Sequence, residues 1–148
     1  MNLTDHFTLD EMVASQTAAR RGIDNTPTPD IINNLTKTAQ ALERVRVLLG
    51  SRPITVSSGY RSPDLNRAVG GAANSAHLRG LAADFICPAY GNPLSICKAI
   101  AASNIDFDQV IQEGTWVHLG LAVAGQKNRR QLLTAQFGAD GATYRSGL

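Results

Sequence analysis

Ser75-Ala76-His77-Leu78-Arg79-Gly80-Leu81-Ala82-Ala83-Asp84-Phe85-Ile86 decides the reading of this chain. From Leu81 to Ile86 the residues read as a short strand, in which alternation puts Ala83 and Phe85 on one face and Asp84 on the other, with Ala82 and Ile86. An ionised carboxylate on a strand needs a cation, dense hydrogen bonding or a metal opposite it, because desolvating it alone is costly. His77 stands seven residues earlier, before the turn-capable Arg79-Gly80, so the chain can leave the histidine and return Asp84 to the same small volume.

Downstream, Trp116-Val117-His118-Leu119-Gly120-Leu121 repeats the pattern. Val117, Leu119 and Leu121 take the apolar side and His118 the other, facing what Asp84 faces. Two imidazoles, one carboxylate and an open fourth position describe a catalytic zinc site, where the metal brings the pKa of water down toward about 7. The spacing alone also admits an exposed loop histidine and a salt-bridged strand aspartate.

Around this stretch, Thr8-Leu9-Asp10-Glu11 fits a capping box and predicts a helix over Leu9 to Arg20, before Thr26-Pro27-Thr28-Pro29 breaks the chain. Between Asp30 and Gly50, Ile31, Ile32, Leu35, Ala39, Leu42, Val45 and Leu49 recur at helical steps. Asn33, Lys37, Gln40 and Arg44 form the opposite, polar face. Ile54 to Ser58 reads as a strand, Gly59 to Pro63 as a turn, and Gly70 to Ser75 as a loop. Pro93 to Ser103 predicts a second covering helix; Phe107 to Gln112 and Trp116 to Val123 predict two strands around Glu113-Gly114-Thr115, and Gln131 to Phe137 a last one. The expectation is one domain over residues 1–148, of the α+β class, with helices packed on a small, mainly antiparallel sheet.

Composition sets the bounds. With 148 residues, 43% apolar and 18% charged, the chain can bury a core. A net charge of +2 gives no footprint for nucleic acid, and no apolar run reaches the roughly 18 to 20 residues a membrane span needs. Met1 to Arg20 lacks the basic and apolar regions of a signal peptide. Cys87 and Cys97 read as small buried side chains, with a disulfide as the alternative. Lys127-Asn128-Arg129-Arg130 reads as a solvated turn.

Ser58-Gly59-Tyr60-Arg61-Ser62, Asn66, Val69-Gly70-Gly71, the stretch Ser75 to Phe85 and Thr115-Trp116-Val117-His118 together resemble the zinc D-Ala-D-Ala carboxypeptidase family, which includes D,D-dipeptidases and phage endolysins. His6-Phe7-Thr8-Leu9 and Gly22-Ile23-Asp24-Asn25 look like its phage and prophage branch. The resemblance implies a Hedgehog and D,D-peptidase-like fold, and one zinc ion held by His77, Asp84 and His118. It further implies that Arg61 faces substrate near the metal, and that Ser75 contacts substrate or orders the ligand loop. A loop-capping hydroxyl is the plainer reading of Ser75.

Many relatives place a catalytic carboxylate three residues before the last ligand, where this chain has Thr115. Glu113 is the nearest acid and the expected general base, with Asp106 or Asp108 in reserve. His6 is read as structural; Trp116 either lines the cleft or, as a lone aromatic on a strand more often does, packs; Tyr60 either hydrogen-bonds substrate or fills the loop and is left out of the catalytic set. The expected function is hydrolysis of a peptide bond in the peptidoglycan stem or crosslink by a monomer that binds neither nucleic acid nor membrane. It would be made without a signal peptide and act on the wall, or travel in a phage particle. A non-catalytic zinc-stabilised wall-binding or virion module is the alternative, favoured by the missing acid at Thr115.

Overall fold

The structure, a computed structural model, describes residues 1–148. Six strands form one sheet in the order β1-β2-β4-β3-β5-β6. They are β1 (Thr55–Ser58), β2 (Ala82–Ile86), β3 (Gln109–Gln112), β4 (Val117–Gly120), β5 (Gln131–Gly138) and β6 (Gly141–Ser146). Four of the five pairings are antiparallel; β3 and β5 run parallel, because the chain crosses from β4 past β3 before it pairs again. The α+β class expected from the sequence is what the chain adopts.

One face of the sheet is dry. Ala83, Phe85, Val110, Val117 and Leu119 point into a core completed by Leu35, Ala39, Leu42 and Val45 of helix α3 (Pro29–Leu48) and by Ile96, Cys97 and Ile100 of helix α5 (Pro93–Ala102). Every one of these side chains is at or near zero exposure, and truncating a leucine among them to alanine costs about 2 to 5 kcal/mol. Thr28 caps α3, Pro29 starts it and Asn92 caps α5, satisfying the first free amides of each helix. Both cysteines are buried and free. No helix is long and apolar enough to cross a membrane.

Four details depart from the sequence reading. The first helix is two: α1 (Leu9–Val13) ends at Ala14, which is extended, and Ser15 caps α2 (Gln16–Arg21) by accepting from the Ala18 amide at 3.1 Å. The Ser62-Pro63 turn opens a further helix, α4 (Pro63–Ala68), with Ser62 as its cap. The tail carries a second strand, β6, joined to β5 through Ala139-Asp140. The Lys127–Arg130 turn, although surface-lying, is anchored. Arg129 donates to both Asp108 oxygens, while Arg130 stacks over Phe107 at 4.5 Å and reaches the carbonyls of Ala101, Ser103 and Ile105.

Candidate active site

The other face of the sheet builds the site. Asp84 and His118 are direct partners across β2 and β4, and Ile111 and Leu133 continue the same row across β3 and β5. Cross-strand partners share a face, so the register alone carries Asp84 and His118 out of the core together.

His77 arrives from a different element. Ser75 caps a short 3-10 helix (Ala76–Arg79), accepting from the His77 amide at 3.2 Å, and Gly80 ends that helix at φ +72°, a left-handed conformation that side chains resist. A Cβ at Gly80 would stand 3.1 Å from Ile31 and Leu35, so glycine also lets the turn lie against α3. Thr38 of α3 donates to the Gly80 carbonyl at 2.8 Å, fixing the turn to the core helix.

The His77 ring is 2% exposed and its Nδ1 lies 2.6 Å from the Gly59 carbonyl. That contact assigns the proton to Nδ1, because a carbonyl oxygen only accepts. Nε2 is left as a free donor pair 3.3 Å from Asp84 Oδ1, while His118 Nδ1 lies 3.0 Å from the same oxygen. The imidazole centroids are 5.1 Å apart and edge-on. All three ligand atoms fall within 4.8 Å of one another. Four donors arranged tetrahedrally at about 2.0 to 2.1 Å from zinc stand roughly 3.3 Å apart, so two imidazoles and a carboxylate at these separations fit a zinc ion. His77 bound to a backbone carbonyl through its other nitrogen is the usual support for a metal-ligating imidazole. Burial works to raise the Asp84 carboxyl, but the hydrogen bond with His118 and the nearness of both imidazoles outweigh it and hold the group far below the ordinary carboxylate range. The group is therefore ionised and able to ligate.

Gly59 directly follows β1, which bulges between Val56 and Ser58. A Cβ there would come within 2.2 Å of the Met12 carbonyl, so only glycine allows α1 to press against this corner. Asn25 clamps the next residues, donating to the carbonyls of Val13 and Tyr60 and accepting from the Ser62 amide at 2.7 Å. Between these fixed points stands Arg61. Its amide donates to the His77 carbonyl and its guanidinium approaches Ser75 Oγ at 3.4 Å. Arg61 Nε is buried without a partner. Burial lowers the Arg61 pKa against the pull of Asp84 and Glu113, so the cation is partly stripped of water yet faces two acids.

A cavity of about 820 Å³ opens over this face, lined by the three ligand residues together with Arg61, Ser75, Glu113 and Trp116. Burial raises the Glu113 pKa above that of an ordinary glutamate, with Asp84 adding to the rise while His118 and Arg61 oppose it. Of the reserve acids, Asp106 is exposed and outside the cavity lining, and Asp108 is engaged by Arg129, whose hydrogen bond lowers its pKa. His6 lies away from the cavity, its ring nitrogen 2.8 Å from Glu43. Tyr60 is turned out of the cavity and buried; Trp116 stands on its wall.

The profile of the family described as Peptidase M15 matches residues 5–120. The chain belongs to the peptidase M15 family. This bears out the family read from the motifs. The chain is similar to the zinc D-Ala-D-Ala carboxypeptidase of Streptomyces albus G, at 39% identity over 82 residues, which are 55% of this chain and 31% of that protein. It thus matches less than a third of that relative's length. The M15 match includes all three ligand residues, Arg61, Ser75 and Glu113, and stops before β5 and β6.

The wall built by β5 and β6 is what the sequence reading missed. Leu133, Phe137, Ala142 and Tyr144 line the cavity. Asp140-Gly141, set between alternating Leu133, Ala135, Phe137 and Ala142, Tyr144, is a hairpin signal that could have found it.

Proposed function

We propose that this M15 member is a zinc peptidase that hydrolyses a peptide bond in the peptidoglycan stem peptide or crosslink. The observation that carries the reading is the convergence of His77 Nε2, Asp84 Oδ1 and His118 Nδ1 in the lining of a cavity that also holds Arg61 and Glu113. The peptidoglycan substrate is supported by membership of a peptidase family and by the D-Ala-D-Ala in the name of the Streptomyces relative.

Bound by these three residues, zinc would supply Lewis acidity, polarising a carbonyl and lowering the pKa of water. The remaining work belongs to the chain. Glu113, whose pKa burial raises above that of an ordinary glutamate, takes a proton from the attacking water as a carboxylate and returns it to the leaving amine. Arg61, with a buried and unpaired Nε, donates to the carbonyl oxygen as charge develops or holds a substrate carboxylate. Ser75 holds both the Arg61 guanidinium and the His77 amide, so it orders the ligand loop and the cation together. The enzyme is proposed to act on the wall as a monomer.

The test is loss of turbidity of chloroform-treated Gram-negative cells with and without chelator, followed by mass analysis of the released muropeptides. Chelator-sensitive release of peptides cut at one bond type supports the reading and names the bond. Intact muropeptides after prolonged incubation with zinc-loaded protein overturn it in favour of a binding module.

A further inference from the structure

The cavity does not end at the metal ligands. On β5 and β6 the register sets Phe137 opposite Ala142 and Ala135 opposite Tyr144, and β3 sets Ile111 opposite Leu133. Direct partners share a face, so Leu133, Phe137, Ala142 and Tyr144 lie on the same side of the sheet as Asp84 and His118. All four line the cavity.

Two large aromatics on this strip are left in solvent. Phe137 is 60% exposed and Tyr144 is 52% exposed, while the core has taken Phe7, Phe85 and Phe107 completely. Phe137 stands over the Glu113 turn, its ring 3.4 Å from where a Cβ of Gly114 would be. Partial burial of Tyr144 raises its pKa, and the charges of Glu113 and Asp84 add to the rise. An apolar strip with one phenol at its side offers a peptide both contact area and a hydrogen bond.

We propose that the β5–β6 hairpin is the substrate-recognition wall of the cleft, binding the small apolar side chains of a peptide on one side of the scissile bond across Leu133, Phe137 and Ala142 while Tyr144 hydrogen-bonds its backbone. The inference rests on the peptidase reading and adds the residues that select the substrate. It assigns Tyr144 and Phe137 to substrate binding, and it places that selection outside the residues 5–120 shared with the family.

The chain has three tyrosines, so zinc-loaded protein carrying 3-fluorotyrosine gives a 19F spectrum in which Tyr144 is assigned by its disappearance in Tyr144→Phe. Titration with a stem tetrapeptide ending in D-Ala should move the Tyr144 resonance and leave that of Tyr60 in place. An unmoved Tyr144 resonance at millimolar peptide overturns the inference. Hydrolysis of the corresponding pentapeptide is measured alongside. Tyr144→Phe and Phe137→Ala should each raise KM about threefold to tenfold at nearly constant kcat, the scale of one neutral hydrogen bond or one partly buried contact. An unchanged KM in both variants also overturns it. A shifting Tyr144 signal with neither the pentapeptide nor any muropeptide hydrolysed keeps the wall and removes the peptidase reading; hydrolysis without the shift does the reverse.

Discussion

Asp84 and His118 face each other across β2 and β4, with His118 Nδ1 3.0 Å from Asp84 Oδ1. The pair is a product of register. A slip of one residue would send either side chain into the core and separate them. His77 completes the cluster from a loop, so two-thirds of the ligand set is built into the sheet and one-third depends on the 3-10 turn.

Purified protein should hold one zinc per chain, at about 2.0 to 2.2 Å from His77, Asp84 and His118. The double variant His77→Ala, His118→Ala should lose it, and His6→Ala should keep it, since His6 is paired with Glu43 outside the cavity lining. Elemental analysis decides both. Full zinc in the double variant would refute the assignment.

Glu113→Gln should retain zinc and the folded state but lose about a hundredfold or more in rate, the scale of general acid-base catalysis. Steady-state hydrolysis of muropeptides by zinc-loaded protein is the measurement. Undiminished turnover would move the role away from Glu113, and the engagement of Asp108 with Arg129 argues against that acid taking it.

Arg61→Lys should lower kcat/KM about tenfold to a hundredfold, because a flexible point charge does not reproduce the fork that reaches Ser75 and the cavity at once. Thermal unfolding should change little. A lysine variant within about twofold of the parent would restrict Arg61 to holding the loop.

The Asp108–Arg129 pair should make a small pH-dependent contribution to stability. Arg129 holds the Asp108 pKa below its unfolded value, so the contribution is present above about pH 4 and is lost as pH falls through the lowered pKa. Arg129 is largely exposed, and screening keeps the effect to about 0.5 to 1 kcal/mol. Urea unfolding of Arg129→Met should show that deficit at pH 7 and none near pH 2. An equal deficit at both would mean that packing, not charge, is lost.

Burial pushes the Cys97 thiol up to about 12, so it should resist iodoacetamide in the native protein and react once the chain is unfolded. Mass spectrometry after timed alkylation reads this directly, and rapid native labelling of Cys97 would contradict its burial.

The sheet and its main helices were legible because periodicity is strong there. Leu35, Leu42 and Val45 announce α3, and the alternation around Asp84 and His118 gives both strands and the face on which the ligands stand. His77 was legible only through its motif, since nothing periodic marks a loop residue. The break at Ala14 was hidden because the spacing of apolar residues runs through it, leaving Ser15 as the sole mark. The start of α4 was masked by Ser62-Pro63, which opens turns and helices alike. The parallel pairing of β3 with β5 is set by long-range docking, which no local pattern encodes.

Because the Met12 carbonyl occupies the space where a Gly59 side chain would be, and also accepts the Tyr60 amide at 2.8 Å, the amino-terminal segment is wedged against the peptide unit whose oxygen orients His77. Met12 itself is fully buried, and its helix is closed by the Thr8–Glu11 box. The first dozen residues therefore act as a strut behind His77 and the candidate metal site. Loosening them by proteolytic nicking near Ala14, or crowding the same contact with Gly59→Ala, would be felt as weaker ion retention, passed on through the carbonyl that holds His77.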